Sequence, residues 1–178
     1  MFQPKSIYSK IALKAILAEM AGNDPLKIHI PDIPAELYET RKGCFVSLHK
    51  PDGELRGCIG TIEPCEKNLY FEIIRNAVSS AFSDSRFEPL TDFEMENLEI
   101  SVDVLTVPEE IESPDDLDPQ IFGLIVTDNR NKRAVLLPGI PGIDTIEKQI
   151  RIVKRKAGLS QSDDNELYYF RFTSTRFH

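Results

Sequence analysis

The densest chemistry in the chain lies in one octapeptide, Leu55-Arg56-Gly57-Cys58-Ile59-Gly60-Thr61-Ile62. Arg56 and Cys58 are two positions apart, so in a strand they share a face. A thiol becomes a nucleophile when a nearby cation lowers its pKa. On that reading Cys58 is a thiolate, His49 across a hairpin is its base, and Arg56 is a fork for a carboxylate or phosphate. Gly57 and Gly60 are unusual in a strand, where glycine packs poorly, and imply that a segment or a ligand comes close to the backbone. No GxGxxG or Walker pattern surrounds them, which favours packing over a phosphate cradle. A structural alternative stands beside each role. Cysteine often behaves as a small buried hydrophobe, and Arg56 could simply pair with Asp84 or another acid. Asp84 and Arg86 read as a clasp within one loop.

The elements around the octapeptide must position these groups. Cys44–His49 and Leu55–Gly60 read as two strands joined through Asp52-Gly53, a strong hairpin signal. A two-residue loop places Ser47 opposite Cys58 and His49 opposite Arg56. Ser47, His49, Arg56 and Cys58 then look one way, and Val46, Leu48, Leu55 and Ile59 the other. A bulged three-residue loop would slip this pairing. Ser6–Met20 reads as a largely buried helix and Leu69–Phe82 as an amphipathic one, with Glu72, Arg75, Asn76, Ser79 and Ser83 on its polar stripe. Thr91 and Glu94 form a capping-box pattern. Glu99–Val107 alternates as a half-buried strand, with Ser101 and Asp103 outward. A second hairpin surrounds Asn129-Arg130-Asn131. A third helix, capped by Asp144, ends at Gly158, and Leu167–Thr173 is a final strand. Helices and hairpins without repeating βαβ units predict an α+β fold with an antiparallel sheet.

At 178 residues the chain fits one domain, or a domain with a small lobe. Three cysteines (44, 58 and 65) without CxxC spacing, and three scattered histidines, imply reduced thiols and no structural zinc site. No cofactor is expected. No apolar run approaches membrane-spanning length, and Met1–Lys5 lacks a signal-peptide layout, so the expected compartment is the cytoplasm. The net charge of −8 argues against duplex DNA as the main partner. Charge is uneven: Asp84–Asp118 holds thirteen acids and one base, whereas Arg130–Lys156 holds eight bases and two acids. This reads as two solvated faces or as a steering field.

Leu55-Arg-Gly-Cys-Ile-Gly-Thr61, preceded by Cys44-Phe-Val-Ser-Leu-His49, resembles the AMMECR1 domain family. Asp84-Ser-Arg-Phe-Glu-Pro-Leu90, Ile100–Leu105, Gly123–Val126, Leu136–Pro138 and Lys156–Leu159 follow in the family's order, so the resemblance covers nearly the whole chain. It implies an α+β domain with a larger and a smaller lobe, no firmly assigned activity, and a pathway shared with Memo-like and radical-SAM proteins. Where the family often carries glycines after the second-hairpin turn, this chain has Lys132-Arg133-Ala134, so no ligand role carries over to that hairpin.

Three functions stay open. The first is an enzyme or enzyme subunit for a small anionic or nucleotide-derived substrate. Its cleft would lie between the lobes beside Arg56–Gly60, with Cys58, His49 and Arg56 as catalytic candidates and Arg56, Gly57, Gly60, Asp84 and Arg86 as ligand contacts. The second is a protein-interaction module presenting the same stretch without chemistry. The third is an RNA-binding accessory domain using Arg151 and Arg155.

Overall fold

The structure is a computed structural model, and it describes residues 3–178. Met1 and Phe2, part of the stretch read for a signal peptide, lie outside the described residues. Among the described residues the α-helices are α1 (Ile7–Met20), α2 (Ala35–Glu39), α3 (Leu69–Phe82), α4 (Asp92–Met95) and α5 (Ile146–Ala157). The strands are β1 (Cys44–His49), β2 (Leu55–Gly60), β3 (Glu99–Leu105), β4 (Glu109–Glu110), β5 (Gly123–Thr127), β6 (Arg133–Leu136), β7 (Tyr168–Phe172) and β8 (Ser174–Phe177). They form two four-stranded antiparallel sheets, ordered β2-β1-β3-β8 and β4-β7-β5-β6, so the fold is α+β as expected. The chain divides into two compact units, residues 1–105 with 175–178, and residues 106–174. Among the described residues no helix is long and apolar enough to cross a membrane.

In the larger unit, α1 and α3 pack against β1, β2 and β3 over a core that includes Ile11, Ile16, Val46, Leu48, Ile73 and Val102. Ser6 caps α1 with a capping box, which fits a helix starting where its apolar run starts. The polar stripe assigned to α3 needs correction. Glu72 and Asn76 are fully buried there. Asn76 donates to the Cys44 carbonyl at 2.9 Å, and Glu72 accepts from the Glu66 amide at 2.7 Å and from Thr61 Oγ1. A buried polar group is tolerable only when it is bonded, and these two fasten the end of β2 to the helix. The strand β3 is likewise buried on both faces rather than one: Ser101 and Asp103 are as inaccessible as Ile100 and Val102.

In the smaller unit, α5 covers β5 and β6 around Leu124, Val126, Val153 and Leu159. Its N-cap is Thr145, whose hydroxyl accepts from the Lys148 amide, and not Asp144. Gly158 ends it in the left-handed conformation at φ +67°, which glycine adopts without a Cβ penalty. Several elements were not anticipated, among them the two-residue strand β4, which pairs with β7. The helix α2 is a single turn after Pro34, and β8 continues beyond the expected final strand to pair into the first sheet.

Candidate functional site

The site begins with the hairpin register. The loop is Pro51-Asp52-Gly53, closed by Gly53 N–H to Lys50 O (2.9 Å) and Lys50 N–H to Glu54 O (2.8 Å), with Gly53 at φ +85°. This is the bulged three-residue loop, which needs a left-handed residue at its third position. It sets His49 opposite Leu55, correcting the expected His49–Arg56 pair. The register then shifts again, so that Leu48 faces Gly57 and Ser47 faces Cys58. Arg56 is the extra residue of a β-bulge, which re-aims a side chain and twists the strand locally. The two shifts cancel, and Ser47 faces Cys58 as predicted.

Arg56 is already engaged. Its Nε donates to Glu94 Oε1 at 2.6 Å and its Nη2 to Oε2 at 3.1 Å, a bidentate pair, while Nη2 also reaches Glu88 O at 2.9 Å. The Phe87 ring lies 5.7 Å from the guanidinium carbon. The side chain is 8% exposed. Glu94 also accepts from the amide and hydroxyl of Thr91, closing the expected capping box of α4. The Arg56 hydrogen bonds, with those of Thr91, hold the Glu94 carboxyl at about 2. The acid that Arg56 meets is therefore Glu94, not Asp84.

Asp84 and Arg86 form the expected clasp, and its target is the backbone of Cys58. Asp84, 5% exposed, accepts the Cys58 amide at 2.9 Å. Arg86 grips the same carboxylate through Nε (2.9 Å) and Nη2 (2.7 Å), and Nη2 also donates to Cys58 O at 3.2 Å. These bonds, Arg86's first, hold the Asp84 carboxyl at about 2. The Arg86 side chain is itself 54% exposed, and its Nη1 has no partner among the described residues.

The Cys58 thiol accepts from Ser47 Oγ at 3.2 Å. Burial pushes the thiol up; the Ser47 bond and the Arg86 charge pull it down, Asp103 and Asp84 push it up again, and the net direction is upward. The cation that acts on this sulfur is thus Arg86. Register places Cys58, Ser47 and Ser101 in one row across β2, β1 and β3. Ser101 is 3% exposed and its Oγ has no hydrogen-bond partner. Two residues along, Asp103 is buried and gripped by Arg176 through Nε (3.0 Å) and Nη2 (3.1 Å). His49 titrates low, from burial first and Arg176 second, with Glu99 and Asp103 opposing.

The expected residues are therefore split. Cys58 and Ser47 meet, Asp84 and Arg86 meet around Cys58, and Arg56 turns instead to Glu94. Gly57 and Gly60 serve close packing: a Cβ on Gly57 would collide with the Ser80 carbonyl of α3, and one on Gly60 with the Phe45 ring. Sequence reasoning missed Glu94, Ser101, Asp103 and Arg176. Only the alternation of β3, which puts Ser101 and Asp103 on one side, could have pointed to any of them.

The AMMECR1 family model matches residues 9–177. A protein of Thermotoga maritima is 44% identical over 153 residues, covering 85% of this chain and 87% of its own length. Protein CA_C1420 of Clostridium acetobutylicum is 38% identical over 172 residues; 96% of this chain matches, spanning only 36% of that protein. The crystal structure of the uncharacterized protein PH0010 from Pyrococcus horikoshii superposes with a TM-score of 0.84 at 31% identity, covering 98% of this chain and 92% of that one.

Proposed function

Since the chain belongs to the AMMECR1 family, we propose that it works in the cytoplasm as a small-ligand-binding domain, with Arg86 rather than Arg56 as its anion-recognising group. One observation carries this reading: Arg86 is clamped along one edge by a buried carboxylate while more than half its side chain faces solvent. A guanidinium fixed in advance loses less freedom when an anion arrives. Cys58, partly exposed and held at both its backbone groups by the same clasp, lies beside Arg86. The ligand class is small and anionic or nucleotide-derived, held chiefly through the solvent-facing edge of Arg86. Cys58 acts as uncharged lining, since burial favours the protonated thiol. Memo-like and radical-SAM proteins are its proposed pathway partners, to be sought by co-purification.

Calorimetric titration with AMP and with inorganic phosphate tests the reading. AMP should bind the wild type, Arg86→Gln should weaken it about tenfold, and Cys58→Ala should weaken it less. Absence of AMP binding at millimolar concentration, or equal binding by Arg86→Gln, would overturn it.

A further inference from the structure

The smaller unit holds a cavity of its own, of about 300 Å³. The apolar part of its wall is Ile111, Pro114, Leu117, Ile150 and Leu167. Leu117 and Leu167 belong to the core of that unit, so the chamber opens directly onto packed hydrophobic structure. Such a volume suits a molecule of roughly ten non-hydrogen atoms, and apolar walls with a few placed polar groups are the usual make-up of a ligand site.

The polar lining is Glu112, Ser113, Asp164, Asn165 and Tyr169, of which Glu112 and Asp164 are the carboxylates. The Tyr169 hydroxyl donates to Asp164 Oδ1, and Lys154 Nζ donates to the same oxygen at 2.8 Å and to Ser162 O at 3.0 Å. Asp164 is thereby fixed in place through one oxygen, with Oδ2 left over. Lys154 offsets its charge. Glu112 has no such offset: it is exposed and makes no ion pair among the described residues. No arginine or lysine lines the cavity. Two carboxylates and a tyrosine ring lining one cavity with an apolar part to its wall select a cation with an apolar body.

We propose that this cavity is a second ligand site, taking a small apolar molecule that carries one ammonium group. It is built wholly from residues 111–169 and does not rest on the Arg86 reading. Asp164 and Tyr169 bind the ammonium group, Glu112 supplies the net negative charge, and Ile111, Leu117, Ile150 and Leu167 accept the apolar body.

The test uses the full chain and three probes of like shape: 2-phenylethylamine, 2-phenylethanol and 3-phenylpropionate. Amide chemical shifts of residues 111–117 and 164–169 follow each titration. The amine should bind tightest and the acid weakest, with a gap of about tenfold that narrows in high salt. Glu112→Gln should cut amine affinity by about threefold to fivefold. Glu112→Arg, another change at an exposed position, should reverse the order of amine and acid. Equal affinity for amine and acid, no shifts in those amides at millimolar probe, or an amine preference that survives Glu112→Arg would overturn the proposal.

Discussion

Two arginines meet at one strand, Arg56 from within β2 and Arg86 from the loop after α3, and they are held in opposite ways. Arg56 is buried to the tip, and its carboxylate partner is the more exposed member, at 35%. Arg86 reverses this: the Asp84 side chain is 4% exposed and the arginine side chain 54%. In the first pair the cation braces the fold. In the second a buried acid holds a cation out toward solvent. On the proposed reading, which member of an ion pair is buried separates a brace from a receptor, although both arginines lie in the motifs that carry the resemblance.

The largest expected effect tests the brace. Arg56→Ala should cost about 3 kcal/mol in denaturant unfolding, because Glu94 and the Glu88 carbonyl lose their donors in a covered site. Arg56→Lys should recover little of this, since an ammonium cannot make the bidentate contact. Gly57→Ala comes next, at about 2 kcal/mol, because the new methyl meets the backbone of α3 rather than a movable side chain. On the other side, Arg86→Gln should cost about 2 kcal/mol, because the buried Asp84 carboxylate loses its cation and keeps only the backbone amides of residues 58 and 86. Equal losses for Arg56→Ala and Arg86→Gln would erase the distinction.

Acid should act on both pairs alike. Asp84 and Glu94 each have folded-state values of about 2, below those of an unfolded chain. A depressed carboxylate stabilises the fold above its unfolded pKa, and that contribution is lost as pH falls through the folded one. Thermal midpoints should therefore hold steady down to about pH 4 and fall between about 4 and 2. Glu94→Gln should flatten part of that fall. The smallest effect concerns the thiols. At neutral pH Cys65, exposed, should label first, Cys58 more slowly, and Cys44, buried and pushed up to about 12, only on unfolding. Labelling of Cys58 ahead of Cys65 would mean a thiolate there.

Local signals were legible in the sequence where the physics is local. The bounds of α3, the capping box at Thr91 and the clasp within Asp84–Arg86 all follow from residues a few positions apart. The Arg56–Glu94 pair joins residues 38 apart, and no periodicity encodes it. Alternation along β3 indicates that Ser101 and Asp103 share a side; it cannot say that this side is covered. The hairpin shows the same limit in miniature. Asp52-Gly53 announces a turn, but two compensating shifts decide where Arg56 goes.

The bonds from Asp84 and Arg86 to Cys58 have a further consequence. The strand β2 is the outermost of its sheet, and such margins invite a foreign strand to zip onto their free main-chain groups. At the middle of β2 those groups are already stoppered by two side chains from the chain's own loop. A protein partner that reads Arg56–Gly60 must therefore approach through side chains rather than by extending the sheet, unless it first dislodges the plug.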